Sequence, residues 1–294
     1  MIVDESAVHE LRIVDTHLFG EEIVASYILT DKASGRAAII ETGATKGAHF
    51  IFEALGDKAD NVDYLLVSHI HLDHAGASGT LMQGLKNAKY VVSARGARHM
   101  IDPKVLQAGA EQVYGKDFLE EHYGEIVPVP QDRIIQIKEE TIFKVGTNVE
   151  LRVEPTSGHA PHHVFISLFL PNEKSGTQPD SYCRGIFTGD QFAAEYPFQR
   201  NHTRKFKFLT PQSTPPQFDP EQWKIALNRV GDLNPQLLYL THFGVIEFEK
   251  KMIKIVASKL DSYVKLVDEA QKIAEKEEKK GQIKTIINDE YFKE

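Results

Sequence analysis

The chain has 294 residues, of which 41% are apolar and 26% charged, and this balance is typical of a soluble globular protein with a sizeable core. Its formal net charge of −8 argues against a nucleic-acid partner, and no apolar run approaches the length of a membrane span. The single cysteine, Cys183, excludes an internal disulfide bond, and the first residues lack the apolar stretch of a secretory signal, so we expect a cytoplasmic protein.

The first third of the chain alternates strand and helix signals. Three apolar, β-branched segments predict strands at 11–14, 23–29 and 37–40, and the polar stretch TDKASGR separates the last two. A further strand is predicted at VDYLLVS, a helix at AGASGTLMQGLKN and another strand at AKYVVSA. This alternation indicates an α/β protein that is built in layers.

The next part is predicted to be mostly β between residues 125 and 192, with a long turn at NEKSGTQPDS. A helix follows at FDPEQWKIALNRV, where Asp219 suits the N-cap, Pro220 the first helical position and Gln222 the last position of a capping box. The segment PQLLYLTHFG then predicts a strand followed by a loop.

The C-terminal part, from residue 247 to about 280, predicts one long helix. Its apolar side chains recur at helical spacing: Ile253, Val256, Leu260, Val264 and Val267. We expect this helix to pack on its own domain, with a dimer interface or a lid over the site as the alternatives. No linker or repeat divides the chain, so residues 1–294 are predicted to form one domain, with a core at about 11–245 and a helical extension at about 246–294.

The stretch VSHIHLDHAG, residues 67–76, concentrates metal-binding side chains between a predicted strand and a predicted helix. His69 and His71 lie two residues apart, so an extended backbone points both imidazoles the same way. Asp73 and His74 follow at the turn into the helix, which directs them to a neighbouring spot. Such a pattern should occur by chance on the order of once in a thousand chains of this composition, and its nitrogen and carboxylate donors suit zinc, iron or manganese.

Four ligands on one loop cannot complete two metal shells, so further donors are expected at other strand ends. Three residues meet this expectation, each just after a predicted strand and near a glycine: His159, Asp190 and His242. Each of them alone is a weak indication, because polar residues are common in loops. Together and in this order they are strong.

With these motifs in place, the chain resembles the metallo-β-lactamase superfamily of hydrolases from about residue 11 to residue 244. The segments VSHIHLDHAGA, GHAPHH, FTGD and YLTHFG stand where that family keeps its ligand motifs. The resemblance implies an α/β fold, a four-layer αβ/βα sandwich with the site between two sheets, here followed by the long C-terminal helix. It also implies two divalent metal ions per chain, zinc in the first place, with iron or manganese as alternatives. The implied ligands are His69, His71 and His159 for one ion and Asp73, His74 and His242 for the other, with Asp190 bridging both.

Two features of the sequence indicate which members of this family the chain resembles most. Asp190 stands where one large group of secreted β-lactamases has a cysteine, and this looks like the glyoxalase II, lactonase and RNase Z type of dinuclear site. The family usually has Asp-x-Gly after its early strand, whereas this chain has Glu41-Thr42-Gly43, and we expect Glu41 to hold a ligand histidine with its longer arm. The C-terminal residues that bind glutathione in glyoxalase II are not recognisable in this chain.

Other residues near these motifs are predicted to have supporting roles. His163 is expected to be a buried hydrogen-bonding residue beside the ligands, and Tyr196 either packs or donates a hydrogen bond to an oxyanion. The remaining histidines of interest are predicted to lie on the surface or in loops: His17, His99, His122, His162 and His202. The basic segment 199–208 is expected to be a solvated loop, with a substrate-recruiting patch as the alternative.

These inferences predict an enzyme, a dinuclear hydrolase in which a metal-bridging hydroxide attacks an activated acyl bond of the thioester or lactone type. Asp73 and Asp190 are the expected catalytic carboxylates, the first orienting the hydroxide and the second holding the two cations together. The alternatives are phosphodiesterase or weak β-lactamase activity, a mononuclear iron oxygenase resembling the persulfide dioxygenases, and a non-catalytic binding protein. The expected partner is a small-molecule substrate rather than nucleic acid or a membrane, and the C-terminal helix is the predicted surface for any homo-oligomer.

Overall fold

The computed structural model describes residues 1–172, 181–196, 209–212 and 217–277, and its framework is a pair of β-sheets. The first sheet has seven strands that follow one another as in the sequence: β1 (Ile2–Glu5), β2 (His9–Asp15), β3 (Ala25–Asp31), β4 (Ala37–Ile40), β5 (Val62–Leu66), β6 (Lys89–Ser93) and β7 (Ile134–Ile137). Neighbours from β1 to β4 are antiparallel and those from β4 to β7 are parallel, because the connections change from hairpins to helical crossovers after β4.

The second sheet has six strands in the described part of the chain: β8 (Thr141–Val145), β9 (Val149–Thr156), β10 (His163–Pro171), β11 (Ser181–Phe187), β12 (Leu237–Leu240) and β13 (Gly244–Glu247). Their order across the sheet is β13-β12-β11-β10-β9-β8. Only β11 and β12 are parallel neighbours among these strands, because a helix lies between them in the sequence.

The helices cover the outer faces of the two sheets. Those described are α1 (Ala48–Leu55), α2 (Leu72–Ala75), α3 (Ser78–Gly84), α4 (Ala94–Ile101), α5 (Lys104–Tyr114), α6 (Lys116–His122), α7 (Pro220–Leu233) and α8 (Lys251–Glu277), with 3-10 turns at Thr45–Gly47, Gly56–Asn61 and Gln131–Arg133. Ile51 of α1 and Leu81 of α3 are buried against the first sheet. Trp223 of α7 and Val256 of α8 are buried against the second sheet.

A separate apolar layer fills the space between the sheets. Tyr27, Leu66 and Val91 from the first sheet share this buried cluster with Leu151 and Ile166 from the second. Helix, sheet, sheet and helix therefore form four layers, which confirms the predicted fold class and the long C-terminal helix. The single domain over residues 1–294 stays a prediction. Within the described ranges, every helix is too short or too polar to cross a bilayer.

The start of α7 follows the predicted capping residues. Asp219 Oδ1 accepts hydrogen bonds from the main-chain N–H groups of Glu221 at 3.1 Å and Gln222 at 3.0 Å, and Pro220 is the first helical residue. The Gln222 side chain, which was placed in a capping box by its position, instead accepts a hydrogen bond from Ser157 Oγ at 3.3 Å. This contact ties α7 to the loop that follows β9.

Two predicted element boundaries need correction. The helix expected at AGASGTLMQGLKN, from residue 75 to residue 87, is shorter: α3 covers Ser78–Gly84, and the separate α2 precedes it at Leu72–Ala75, with the Ala77 N–H between them donating to the Gly43 oxygen at 3.0 Å. Helix α8 begins at Lys251 rather than at 247, because residues 244–247 form the edge strand β13. Helices α4 to α6 had no prediction. The turn segment 173–180, the basic segment 199–208 and the helix end after 277 lie outside the described residues.

The first half of α8 packs on its own domain. Met252, Val256 and Leu260 are buried with residues of α7 and the second sheet. Further along the helix, Val267 is 40% exposed. The first half therefore has the expected intramolecular packing, whereas a dimer interface on the second half stays a prediction.

Candidate metal centre

The predicted ligands meet at one edge of the sandwich, where loops from both sheets come together. They follow four strands: His69, His71, Asp73 and His74 come after β5, His159 after β9, Asp190 after β11 and His242 after β12. Their donor atoms form two groups, each with all atoms within 4.8 Å of one another: a three-histidine group of His69, His71 and His159, and a two-carboxylate group of Asp73, His74, Asp190 and His242. All seven residues are therefore brought together as the sequence analysis expected.

In the three-histidine group, the ring nitrogens face one another at close range. His69 Nε2 lies 2.8 Å from His71 Nδ1, and His159 Nε2 lies 3.1 Å from the same atom. The second nitrogen of His159 donates to the main-chain oxygen of Gln212 at 2.5 Å. His159 therefore carries its proton on Nδ1 and presents the Nε2 lone pair to the group.

Burial keeps these three rings neutral. It lowers the pKa of His69 well below the usual value, and the surrounding histidines add to this effect. Burial, followed by the charge of His159, lowers the pKa of His71 to about 4, and burial also lowers the pKa of His159. Because a metal ion binds the deprotonated nitrogen, neutral imidazoles with converging lone pairs form a suitable metal site.

His74 is held from both sides in the two-carboxylate group. Its Nδ1 donates to Glu41 Oε2 at 3.1 Å, so Nε2 points at the carboxylates, 3.3 Å from Asp190 Oδ1 and 3.5 Å from Asp73 Oδ2. His74 Nε2 and Asp190 Oδ1 are buried, yet the described residues offer neither of them a hydrogen bond. A cation between these atoms would satisfy both of them.

His242 repeats this arrangement on the other side of the group. Its Nδ1 donates to the Ile23 oxygen at 3.0 Å, and its Nε2 lies 3.3 Å from both Asp73 Oδ2 and Asp190 Oδ1. The other oxygen of Asp190, Oδ2, lies 3.5 Å from His159 Nε2 in the three-histidine group. The Asp190 carboxylate therefore faces both groups at once.

The two-carboxylate group requires positive charge. Burial opposes a charge on His74, but Asp190, Asp73 and Glu41 outweigh burial and raise the pKa of His74 to about 10. The pKa of His242 is likewise raised well above its usual value against the effect of burial, chiefly by Asp190. Burial would raise the pKa of Asp190, but the neighbouring histidines hold that pKa well below its usual range. Protons on two imidazoles or a divalent ion can supply this charge.

Glu41 lies behind the site, is fully buried and has a left-handed backbone with φ of +65°. Besides the bond to His74, its Oε1 accepts a hydrogen bond from the Ser68 N–H at 3.0 Å. The Ser26 hydroxyl donates to the Glu41 main-chain oxygen at 2.7 Å and fixes the strained residue. This geometry agrees with the expectation that Glu41 holds a ligand histidine through its longer side chain.

Two other predicted residues flank the groups without joining them. His163 is buried, its Nδ1 lies 2.9 Å from Thr156 Oγ1, and its ring stacks on His69 with centroids 5.1 Å apart. The Tyr196 ring lies 5.8 Å from the His242 ring, and burial raises the pKa of the Tyr196 phenol.

His162 was predicted to lie on the surface or in a loop, and the structure places it in a loop but buried. This residue is 7% exposed, and its ring lies 6.0 Å from His69 and 5.4 Å from His71. Burial, followed by the neighbouring histidines, lowers the pKa of His162 to about 3. The signal in the sequence that could have indicated this burial is the position of His162 in GHAPHH, between His159 and His163. His17 is exposed as predicted, and His202 lies outside the described residues.

Comparison with known proteins places the chain in a family. The family model of the metallo-beta-lactamase superfamily matches residues 19–174. The metallo-beta-lactamase fold-containing protein ST1585 of Sulfurisphaera tokodaii is 27% identical over 190 residues, which is 64% of this chain. The match spans 62% of that relative's own length, less than two thirds.

Solved structures share the fold. The crystal structure of ST1585, an archaeal metallo-beta-lactamase superfamily protein from Sulfolobus tokodaii, has a TM-score of 0.62 at 24% identity over 85% of each chain. MEM-A1, a subclass B3 metallo-beta-lactamase from a soil metagenome library, has a TM-score of 0.56 at 15% identity, over 87% of this chain and 93% of that one. The chemotaxis sensor ODP, solved with a peroxy diiron species, has a TM-score of 0.57 at 16% identity with the same coverage.

Proposed function

This chain belongs to the metallo-beta-lactamase superfamily, and on that premise we propose that it is a hydrolase that uses two divalent metal ions to cleave activated acyl bonds of the thioester or lactone type. The observation that carries the proposal is the position of Asp190. One of its carboxylate oxygens lies 3.5 Å from His159, and the other lies 3.3 Å from both His74 and His242. One side chain thus faces both ligand groups, and a carboxylate in this position can bind two metal ions at once.

The donor set fits two metal ions. Imidazole nitrogens and carboxylate oxygens suit zinc, iron and manganese, and we propose zinc first. The three-histidine group would hold one ion, and Asp73, His74 and His242 the other, with Asp190 between them. The unpartnered His74 Nε2 and Asp190 Oδ1 are the atoms that an ion would satisfy. When bound, such a pair supplies Lewis acidity and lowers the pKa of a water molecule towards about 7.

Asp73 is the carboxylate that can orient the attacking water. Its side chain is 26% exposed, whereas the side chains of Asp190 and His242 are each 7% exposed. Asp73 therefore stands at the solvent side of the group, where it can accept a hydrogen bond from an incoming water. Asp190 lies deeper and keeps its negative charge between the two groups.

Tyr196 can bind the carbonyl oxygen of the substrate. Its ring is close to His242, and because burial raises its pKa the phenol keeps its proton at neutral pH. A protonated phenol can donate a hydrogen bond to the charge that develops on an acyl oxygen. Tyr196→Phe should then lower kcat more than it raises KM.

The complete set of donors favours hydrolysis over the oxygenase alternative. A mononuclear iron site needs two histidines and one carboxylate, whereas this edge of the sandwich holds five histidines and two carboxylates.

Metal analysis combined with a substrate panel tests the proposal. We expect about two metal ions per chain and metal-dependent cleavage of thioesters or lactones in a panel that also contains phosphodiesters and β-lactams. Asp190→Asn should lose at least one ion and reduce hydrolysis by more than the roughly 10- to 100-fold typical of outer-shell changes. Asp57→Asn, an exposed change of the same chemistry, serves as the control. One iron per chain with oxygen consumption would support the oxygenase instead.

A further inference from the structure

A cluster of aromatic rings lies open to solvent on one side of the centre. It consists of Phe19 in the β2–β3 loop, Tyr114 at the end of α5, and Phe118, His122 and Tyr123 in and after α6; we call it the aromatic wall. Phe19 stacks on Phe118 with centroids 5.9 Å apart and meets Tyr123 edge-on at 5.7 Å. Phe19 is 52% exposed, Tyr114 50% and Phe118 37%. Single exposed apolar residues are ordinary, but a contiguous aromatic patch of this kind usually marks a binding surface.

The wall adjoins the two-carboxylate group. Tyr123 is buried in the same small apolar cluster as Leu72, the residue before Asp73, and as Leu18, the residue before Phe19. Burial, followed by the negative charge of Asp73, raises the pKa of both Tyr114 and Tyr123, so both phenols lie within the field of that carboxylate. Tyr123 therefore packs beside the segment that carries Asp73, a partly exposed residue of the two-carboxylate group.

The loop that carries Phe19 is held in one shape. His17, Phe19 and Glu22 all have left-handed backbones, with φ of +55°, +64° and +55°. The Asp15 carboxylate clamps this loop, because it accepts hydrogen bonds from the main-chain N–H groups of His17 at 2.8 Å and Glu22 at 2.7 Å. Several strained residues in one short loop persist only where the surrounding structure fixes them, and they are commonest at functional sites.

The same loop also contacts the site from its far end. The Ile23 oxygen accepts the hydrogen bond from His242 Nδ1 that aims this imidazole at the carboxylates. One loop thus positions a ligand at one end and presents Phe19 to solvent nearby. Helix α5, which ends in Tyr114, has no buried residue, and its Val105 and Val113 add exposed apolar surface.

We propose that the aromatic wall is the subsite for an apolar acyl group of the substrate, aliphatic or aromatic, with the reacting carbonyl directed at Asp73. The proposal rests on the proposed function and names its substrate class. Its basis is the position of the wall: Tyr123 and the residue before Phe19 pack with Leu72, which precedes Asp73, and the Phe19 and Phe118 rings extend from there as exposed apolar surface. A substrate whose reacting carbonyl lies at the centre can place an apolar tail on this surface, and rings fixed in advance bind it at low entropic cost.

The test compares a series of acyl thioesters of N-acetylcysteamine, from acetyl to octanoyl and phenylacetyl. For the native chain, kcat/KM should rise about two- to fourfold with each added methylene until the wall is covered. Phe19→Ala and Phe118→Ala should each reduce kcat/KM for octanoyl by about five- to tenfold and for acetyl by less than about twofold. Tyr114→Phe, which keeps the ring, should retain the chain-length preference. Ile142→Ala on the edge strand β8, at a residue that is also 52% exposed, is the control.

A second measurement separates this inference from the proposed function. The octyl thioether of N-acetylcysteamine has no carbonyl to cleave, and its binding can be measured by calorimetry on the same proteins. We expect the native chain to bind this thioether, Phe19→Ala to bind it at least about fivefold more weakly, and Ile142→Ala to bind it as the native chain does. This result supports the proposed subsite even if no hydrolysis is found. Hydrolysis without chain-length dependence overturns the wall and leaves the proposed function standing. Equal thioether binding in all variants, or a dimer that dissociates when Phe19 is replaced, also overturns it.

Discussion

Replacing Glu41 by glutamine tests the residue that orients a predicted ligand, His74, without changing any of the predicted ligands. Both side-chain oxygens of Glu41 are buried and each takes one hydrogen bond, from the Ser68 N–H and from His74 Nδ1. Glutamine keeps one acceptor but turns an NH₂ group towards the other donor, so one buried N–H loses its partner. An unsatisfied buried donor costs about 1–3 kcal/mol, and we expect the metal-free protein to lose that much free energy of unfolding.

Glu41→Gln should also weaken metal binding, but only in the two-carboxylate group that contains His74. His74 Nδ1 would lose the charged acceptor that fixes its ring, and removal of such a partner typically lowers metal affinity about 10- to 100-fold. This corresponds to about 1.4–2.8 kcal/mol of binding free energy. Because none of the ligands in the three-histidine group hydrogen-bonds to Glu41, the affinity of that group should stay close to the native value.

These effects can be measured by calorimetric titration with zinc, by metal content after dialysis, and by urea unfolding with and without a chelator. Glu53→Gln is the matched control, because Glu53 is exposed on α1. We expect one tight and one weakened zinc site in Glu41→Gln, and two native sites in Glu53→Gln. The reasoning is refuted if Glu41→Gln binds two zinc ions with native affinities and unfolds at the same urea concentration as the control.

Three further predictions concern the framework. Tyr27→Phe should cost about 1–3 kcal/mol in urea unfolding, because the buried Tyr27 hydroxyl hydrogen-bonds main-chain carbonyls on both sides of a ligand loop; an unchanged midpoint would contradict this. Burial would raise the pKa of Asp4, but hydrogen bonds, including that from Arg184, hold the pKa well below its usual range. The ionised Asp4 therefore stabilises the fold above about pH 4, and this contribution is lost as the pH falls further. In Asp4→Asn, the free energy of unfolding measured at several pH values should depend less on pH in this acidic range. Gly158→Ala should cost at least about 2 kcal/mol, because its Cβ would lie 2.4 Å from Trp223 Cα at φ of +133°, and native thermal stability would refute the clash.

The clustering of the seven predicted ligands could be anticipated because each of them stands shortly after a strand. His159 and Asp190, for example, come three residues after the ends of β9 and β11. Parallel and antiparallel strands of two facing sheets bring such ends to one edge. Glu41 was inferred from the resemblance instead, because it stands where the family usually has the aspartate of Asp-x-Gly.

The sequence analysis missed three features of the structure: helix α5, the burial of His162 and the aromatic wall. Helix α5 was not predicted, although Leu106, Ala110 and Val113 stand at helical spacing, because the segment is short and none of its side chains is fully buried. His162 sits in a loop with no apolar context, and only the fold of that loop over His69 buries it. The aromatic wall combines Phe19 with residues almost a hundred positions later in the chain, and no periodicity links such distant segments.

The hydrogen bonds around the centre fix the orientation of three of its histidine rings. His74, His159 and His242 each have one ring nitrogen bound to a protein oxygen, so their tautomers are fixed and their other nitrogens point into the site. This order concentrates lone pairs and negative charge in a buried place, and folding without a cation has to overcome that unfavourable term. Folding and metal binding are therefore linked, and an ion that binds only the folded chain should raise the free energy of unfolding with its concentration. The strain at Glu41 belongs to the same arrangement, because this left-handed residue carries the carboxylate that directs His74 into the site.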